Sequence, residues 1–243
     1  MPCFGPVAKY YDKLMNGIPY LSWTQYYLTL LKQQKKQPKT MLDICCGTGS
    51  MVHILTKKGY EVEGVDISKQ MIEEARNKAH NNKLSIKYHQ ADVTQFNLNK
   101  KFDAAYSFFD SLNYIIYPDK LQNAFKNIAK HLKPNGSFIF DMNTAFAYET
   151  DMFDQIDLRE SAELKYKWVG DYDSDSKTIQ VEMNFWHEGK HFTEEHIQRA
   201  YSLEEIIEYL TNAGFTSITA YDSYTLNEPH SKSDRIHFCC ILK

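Results

Sequence analysis

The chain has 243 residues, 43% of them hydrophobic and 24% charged, which suits one large globular domain, or a domain with a sizeable insertion, and excludes a disordered chain. A formal charge of −3 gives no global electrostatic footprint for nucleic acid, so a nucleic-acid substrate is disfavoured, though a local basic groove stays open. No apolar run is long enough to span a bilayer, and the opening "MPCFGPVAKYYDKLM" lacks the uninterrupted apolar core of a signal peptide, so a cytoplasmic protein without membrane contact is expected.

Two helices are expected first. One covers roughly residues 7–15; the second starts at an S-x-x-Q capping box, Ser22 with Gln25, and carries Trp23, Tyr27, Leu30 and Leu31 on one stripe. The basic, polar "KQQKKQPK" reads as a solvated helix end and linker, closing an N-terminal helical lid over residues 1–38.

From Thr40 the pattern changes to short apolar strands alternating with helical stretches, the mark of a parallel sheet built from β-α-β units. The strands are "TMLDIC", "EVEGVD", "LSIKYH", "FDAAYSFF" and "SFIFDM". Between them fall a helix over 51–58, one begun by Ser68 with Met71, Ile72, Ala75 and Ala79 inward, and one carrying Leu121, Ala124, Phe125, Ile128, Ala129 and Leu132 that "KPNG" stops. Ser202 with Glu205 caps a last helix ending at Gly214, and "SITAYDSYT" and "RIHFCCILK" close the sheet. The expectation is a doubly wound, seven-stranded, mostly parallel α/β sheet formed by residues 39–143 and 202–243.

Residues 144–201 are far more than the usual connection and read as an inserted β-rich subdomain. Within it "TIQVEMNFWH" alternates Ile179, Val181, Met183 and Phe185 with polar or opposite-facing residues at period two, so it is a strand. The following "HEGKH" spells the H-E-x-x-H of zinc proteases, a motif that needs a helix, whereas Glu188 to His191 reads as a hairpin turn of type II′ with Gly189 at its first central position. Asp171, Asp173, Asp175 and Glu182 imitate a calcium loop, but Ser176 stands where the tight turn needs glycine, so a polar turn between strands is expected. Cys3, Cys45, Cys46, Cys239 and Cys240 include two adjacent pairs and no C-x-x-C. Neighbours on a strand face opposite ways, which makes these cysteines apolar filler in a reducing compartment rather than metal ligands.

Chemistry concentrates at the strand ends. Strand one runs into "LDICCGTGS", a glycine-containing loop that lets a ligand approach the backbone, and Asp66 ends strand two, where a carboxylate can accept both hydroxyls of a ribose. A dinucleotide fold is weakened because Ser50 stands in place of the third glycine of its fingerprint. After strand three, in "ADVTQF", Asp92 can take an adenine amino group and Val93 its ring. "SFFDSLNYI" then crowds strand four's end with aromatic and polar groups.

With the D-x-x-x-G-T-G loop from Asp43 to Gly49, "GVDISKQMI", "ADVTQF", "FDSLNYI", "KPNGSFIFDMN" and "HIQRAYSLEEI", the chain resembles the class I S-adenosylmethionine-dependent methyltransferases over almost its whole length. It looks in particular like a bacterial small-molecule-type subgroup with a β-rich insertion before the last helix. The resemblance implies S-adenosylmethionine as cofactor and a set of binding residues. Gly47 and the Cys45 backbone would lie against its methionine part, Asp66 on the ribose, Met71 and Val93 beside the adenine, and Asp92 at the adenine amino group. Phe108 joins them. Tyr11 matches a tyrosine that reaches the cofactor's carboxylate, and Trp23 would close the same side, with packing of the lid the alternative for both. Asp43, a carboxylate costly to bury unless paired, would meet the cofactor's ammonium. Cys45 departs from the family's glycine or alanine; it is small enough provided its position does not require a positive φ.

Methyl transfer is an in-line displacement, so the protein chiefly aligns the reactants, with a base needed only when the acceptor must lose a proton. The candidates for acceptor chemistry are His196, Arg199 and Tyr201 in "HIQRAY", with Asp110, Asn113, Tyr114 and Asn143 nearby. Arg199 and Tyr201 should share one face and His196 the other, so His196 is equally a cross-strand structural partner. The expected enzyme methylates a small-molecule acceptor beneath the insertion, as a monomer or homodimer, with no bound metal. The rivals are an RNA methyltransferase, a non-catalytic protein that binds the cofactor or its demethylated product, S-adenosylhomocysteine, and, weakest, a nicotinamide dehydrogenase.

Overall fold

The computed structural model describes residues 4–162 and 164–243, so Cys3 lies outside the described residues. A 3-10 turn over Pro6–Tyr10 leads into α1 (Tyr11–Leu14), so the single helix expected over 7–15 is two short pieces, neither with a side-chain cap to extend it. The next helix, α2 (Tyr20–Gln33), starts ahead of Ser22 with Pro19 at its N-cap and no side-chain cap. The Ser22–Gln25 box is therefore inside the helix, while the stripe of Trp23, Tyr27, Leu30 and Leu31 is buried as the spacing requires.

The alternation that follows is β1 (Thr40–Ile44), α3 (Ser50–Lys57), β2 (Glu61–Asp66), α4 (Lys69–Asn81), β3 (Lys87–Gln90), β4 (Phe102–Ser107), α5 (Pro118–Lys130) and β5 (Leu132–Asn143). Ser68 caps α4 by accepting from the Met71 N–H at 3.2 Å. "KPNG" falls inside β5 as a bulge: Leu132 pairs with Phe102, and the register resumes at Ser137 opposite Ala104. Beyond β5 come α6 (Ala145–Glu149), β6 (Gln155–Asp157), β7 (Lys165–Asp173), β8 (Thr178–His187), β9 (Lys190–Arg199), α7 (Leu203–Asn212), β10 (Phe215–Asp222) and β11 (Arg235–Leu242). Ser202 and Glu205 form the reciprocal capping box of α7.

Seven strands form one sheet in the order β10-β11-β5-β4-β1-β2-β3, parallel except where β11 runs antiparallel to both neighbours. Alternation along each strand feeds two cores. Leu42, Ala105, Phe138 and Cys240 pack on one face; Met41, Ala104, Ile139 and Cys239 pack on the other. Between β5 and α7, β6 to β9 make a separate four-stranded antiparallel sheet.

"HEGKH" is the tip of the β8–β9 hairpin, with His187 paired to Lys190. The loop residues are Glu188 (φ 49°) and Gly189 (φ 73°), so the turn is type I′ and sits one residue earlier than expected, with glycine second. Both primed turns suit the twist of paired strands, and positive φ at both loop residues distinguishes type I′ from the type II′ expected. The aspartate-rich stretch is the β7–β8 turn, where Asp173 accepts from the Asp175 N–H and the Ser176 hydroxyl.

Two features at the strand ends bear on stability. Cys45 has φ 58°, against the expectation that it would avoid the left-handed region: the chain must turn sharply from β1 toward Gly47 and Gly49, which have φ 53° and 74°. Because β11 is antiparallel, its first residue lies at the same sheet edge as the ends of β4 and β5. Arg235 there is half-buried between Asp110, 2.8 Å from its Nη2, and Asp141, which its Nη1 contacts directly.

Cys45→Val forces a β-branched side chain into the left-handed region and should cost about 1–3 kcal/mol in urea unfolding, whereas Cys45→Gly should retain the fold. Arg235→Met leaves two buried carboxylates without their cation and should cost about 3–5 kcal/mol. Burial already raises the Asp141 carboxyl and Arg235 opposes that rise, so without the arginine it would titrate further above its unfolded value; the penalty is full at neutral pH and shrinks as the pH falls, and a deficit that stays constant with pH would count against this account.

Candidate active site

A cavity of about 470 Å³ opens where β1 and β4 end. In this sheet the chain moves outward from β1 through β2 to β3 and then returns to β4 beside β1, and ligands bind at such a reversal. All ten residues expected to meet the cofactor line it: Tyr11, Trp23, Asp43, Cys45, Gly47, Asp66, Met71, Asp92, Val93 and Phe108.

The loop after β1 supplies the floor. A Cβ built on Gly47 would meet nothing within 4 Å, so the backbone there borders open space, whereas one on Gly49 would strike the Tyr88 hydroxyl at 2.3 Å. Asp66 braces the loop: its Oδ2 accepts the Gly47 N–H at 2.9 Å and its Oδ1 the Ser68 N–H at 2.8 Å, each oxygen keeping a second lone pair for a ligand hydroxyl. Burial raises its carboxyl above the usual range, with the backbone N–H groups of Ser68, Gly47 and Ile67 opposing the rise. Asp92 uses Oδ1 for the Thr94 N–H and hydroxyl, both at 2.8 Å, and Oδ2 has no partner among the described residues.

Asp43 is the least comfortable of these groups. It is 5% exposed, and burial lifts its carboxyl well above the ordinary range; nearby Asp66 adds to the rise and the Tyr106 hydroxyl opposes it. A cation placed beside it would reverse that balance. Burial likewise raises Cys45, so it presents a neutral thiol. The open backbone at Gly47, the acceptors of Asp66 and Asp92, and a carboxylate wanting a cation fit a ligand with a ribose, an amino-bearing base and an ammonium, groups that S-adenosylmethionine carries.

The N-terminal segment roofs this half of the cavity. Asp12 takes the Thr48 hydroxyl at 2.6 Å and pairs with Lys78 at 2.5 Å, and the Ser68 hydroxyl donates to the Phe4 carbonyl at 3.1 Å. Burial holds the Tyr11 phenol well above its usual range, with neighbouring Tyr20 adding to the rise. Trp23 lines the wall while stacking on Tyr224 at 5.5 Å, so cavity and packing roles coincide in it.

Beyond the loop the cavity continues under the four-stranded sheet. Trp168, Val181, Met183 and Phe185 give it an apolar wall. From β9 come His196 and Gln198, on the inward face with Glu194, while Glu195 and Ile197 point out. Gln198 donates to Asp110 at 2.7 Å and accepts from the Tyr148 hydroxyl at 3.2 Å, which joins it to the Arg235 network. His196 contacts the Tyr114 hydroxyl and Glu194.

Arg199 and Tyr201 are not brought to this cavity. Arg199 bonds the Ser176 carbonyl in the β7–β8 turn at 3.0 Å and lies over the Tyr201 ring, and the Tyr201 hydroxyl donates to the Ile115 carbonyl. The alternation of β9 carries Arg199 to the face opposite His196, and Tyr201 packs in the main core. Asn113 is structural: it bonds the backbone of Asn143 and Arg199, clamping the end of β5 to the end of β9. Arg235, Gln198 and Glu194 went unmarked in the sequence. The signal for the last two was the inverted polarity of "EEHIQR", a strand whose isoleucine faces out and whose glutamate, histidine and glutamine face in.

Among the described residues no cluster of histidine, cysteine, aspartate or glutamate is arranged to hold a metal ion. His191 stacks on Trp186 and bonds Asn184, while His187 packs against Tyr10.

A family described as a methyltransferase domain matches residues 41–136. A candidate methyltransferase of Geobacillus sp. (strain WCH70) is 32% identical over 95% of this chain and 96% of its own length. A dTDP-3-amino-3,4,6-trideoxy-alpha-D-glucopyranose N,N-dimethyltransferase of Streptomyces venezuelae is 29% identical over 55% of this chain and 56% of its own. Among solved structures, an S-adenosylmethionine-dependent methyltransferase from Clostridium acetobutylicum ATCC 824 superposes with a TM-score of 0.86 at 29% identity, covering 99% of both chains. The amino pentose methyltransferase CalS10 of Micromonospora echinaspora, solved with the cofactor bound, shares the fold with a TM-score of 0.77 at 16% identity, over 100% of this chain and 99% of its own. The chain belongs to the class I S-adenosylmethionine-dependent methyltransferases.

Proposed function

We propose that this enzyme methylates a small-molecule acceptor held between the β1 loop and the inserted sheet. The observation that carries the reading is the continuity of one cavity from Gly47 and Asp66 to His196 and Gln198. The cofactor supplies a methyl group activated by a sulfonium; the chain's residues position it and exclude water. In this reading Asp66 holds the ribose hydroxyls, Asp92 the adenine amino group, Met71 and Val93 the adenine faces, and Asp43 the ammonium. Tyr11 takes the carboxylate and, with Trp23, Phe108 and the N-terminal segment, closes the site as a lid.

The acceptor end supports a compact ligand with an apolar body. Arg235 is the only arginine or lysine among the described residues lining the cavity, and Asp110 and Asp141 already engage it. That leaves phosphate groups without an obvious partner inside the cavity, which disfavours RNA there. The Streptomyces venezuelae relative named as an amino-sugar N,N-dimethyltransferase favours an amine among the acceptors. Of the residues singled out in "HIQRAY", His196 keeps a role at the acceptor, while Arg199 and Tyr201 support the fold.

Thermal unfolding with S-adenosylmethionine, S-adenosylhomocysteine, NAD and zinc tests this assignment. Either sulfur nucleoside at a hundred times its dissociation constant should add about 2.7 kcal/mol of stability, and no shift with either would sink it. Asp43→Asn should weaken S-adenosylmethionine binding about tenfold to a hundredfold, as expected for losing a charge-assisted hydrogen bond. The same change should stabilise the ligand-free protein at neutral pH. Asp43 has a folded pKa raised above its unfolded value, so it destabilises as the pH rises past the ordinary carboxyl range and is neutral in effect below it. The gain of the variant should therefore vanish in acid; a variant less stable than the parent at neutral pH would contradict this role.

A further inference from the structure

We propose that Asn143 determines which acceptor is taken, its side-chain amide hydrogen-bonding an uncharged hydroxyl that the acceptor carries. The inference rests on reading this cavity as a methyl-transfer site. Asn143 closes β5, lines the cavity and is 4% exposed. Its main chain is fully engaged: the N–H donates to Asn113 Oδ1 at 3.0 Å, and the carbonyl accepts from Asn113 Nδ2 at 3.1 Å.

Its side chain is not. Among the described residues the Asn143 carboxamide has no hydrogen-bond partner, and neither its oxygen nor its nitrogen is one of the polar atoms sealed inside the protein without one. The surface that these two atoms keep is therefore surface of the cavity. Other polar groups at this end are committed: Gln198 spends its amide on Asp110 and Tyr148, and the Ser111 hydroxyl donates to the Phe108 carbonyl at 3.1 Å. A carboxamide offers an acceptor oxygen and two donors, and leaving it bare beside apolar walls is a cost that a ligand or water offsets.

The neighbours of Asn143 define the group that fits. Arg235 stands directly opposite it on β11, and Asp141 lies two residues back on β5, so these side chains share one face of the sheet. Arg235 directs Nη1 at Asp141 and Nη2 at Asp110, and its guanidinium has further N–H groups outside those bonds. Two carboxylates face one guanidinium, so the charge balance here is negative. An acceptor carboxylate or phosphate is opposed by it. A hydroxyl suits both sides, its oxygen accepting from Asn143 Nδ2 or from Arg235 and its proton going to Asn143 Oδ1 or to Asp110. Such a site discriminates most strongly against a molecule of the same carbon skeleton that lacks the hydroxyl, because Asn143 then stays unpaired.

Trans-2-aminocyclohexanol, cyclohexylamine and trans-2-aminocyclohexanecarboxylate share one skeleton and test the assignment. Each is titrated into protein saturated with S-adenosylhomocysteine, and its dissociation constant is read from ligand saturation-transfer spectra. The aminocyclohexanol should bind about tenfold more tightly than cyclohexylamine, as one hydrogen bond allows, and the carboxylate more weakly than either. In Asn143→Leu the preference for the hydroxyl should fall to about one. The ligand-free variant should melt at or above the temperature of the parent, since no partner is lost, whereas replacing a merely structural asparagine would lower it. Equal binding of aminocyclohexanol and cyclohexylamine by the parent, meaning an amide that serves water alone, would overturn the proposal; so would no binding of any probe, or a preference that survives in Asn143→Leu. Calorimetric titration of S-adenosylhomocysteine into the same samples separates the two ideas: failure to bind counts against methyl transfer, and binding without a preference for the hydroxyl counts against Asn143 alone.

Discussion

Strands β1 and β4 end side by side but send the chain in opposite directions, β1 toward β2 and β4 toward β5, and the gap that opens between them governs the rest of the molecule. No side chain can fill the space above a pair of diverging backbones, so polar groups collect there at a cost that only a ligand offsets. Asp43 lies in the last turn of this logic, on a strand whose neighbours Leu42 and Ile44 belong to the packed core. The left-handed backbone at Cys45, Gly47 and Gly49 bends the loop clear of the gap and presents main chain to it.

The half of the cavity proposed for the nucleoside was legible because its acidic residues lie at or just after strand ends, Asp66 closing β2 and Asp92 following β3. Asp66 and Asp92 are found by counting from the end of an apolar run, and their place in space follows from parallel topology. Local geometry was less legible. A left-handed Cys45 leaves no mark in a sequence of small residues, and the Ser22 box was a correct motif overridden by a helix that packing extends back to Tyr20. The hairpin at Glu188–Gly189 was recognised, but its register is settled by nine preceding pairs between β7 and β8 and their continuation into β9, none of which one strand's pattern contains.

The half of the cavity proposed for the acceptor resisted prediction for a different reason. Tyr114, Gln198, Glu194 and Arg235 come from a 3-10 turn, an inserted sheet and the strand β11, and their meeting depends on how the two sheets sit together. Pattern did constrain it: period two separates His196 from Arg199, and that separation is what the structure displays. It could not say that the inward face of β9 is the polar one. That inversion places Glu194 and His196 where a buried face would ordinarily carry valine or isoleucine, a cost that their hydrogen bonds to each other, to Val7 and to Tyr114 offset.

Arg235 also has a consequence for how the molecule is made. It arrives on β11, which inserts between β5 and β10, so during synthesis β5 waits with an unpaired flank until everything between Asn143 and Arg235 has emerged. Until then Asp110 and Asp141 have no cation and resist being buried together. The strand that comes last in the chain is thus the one that brings these two carboxylates their cation.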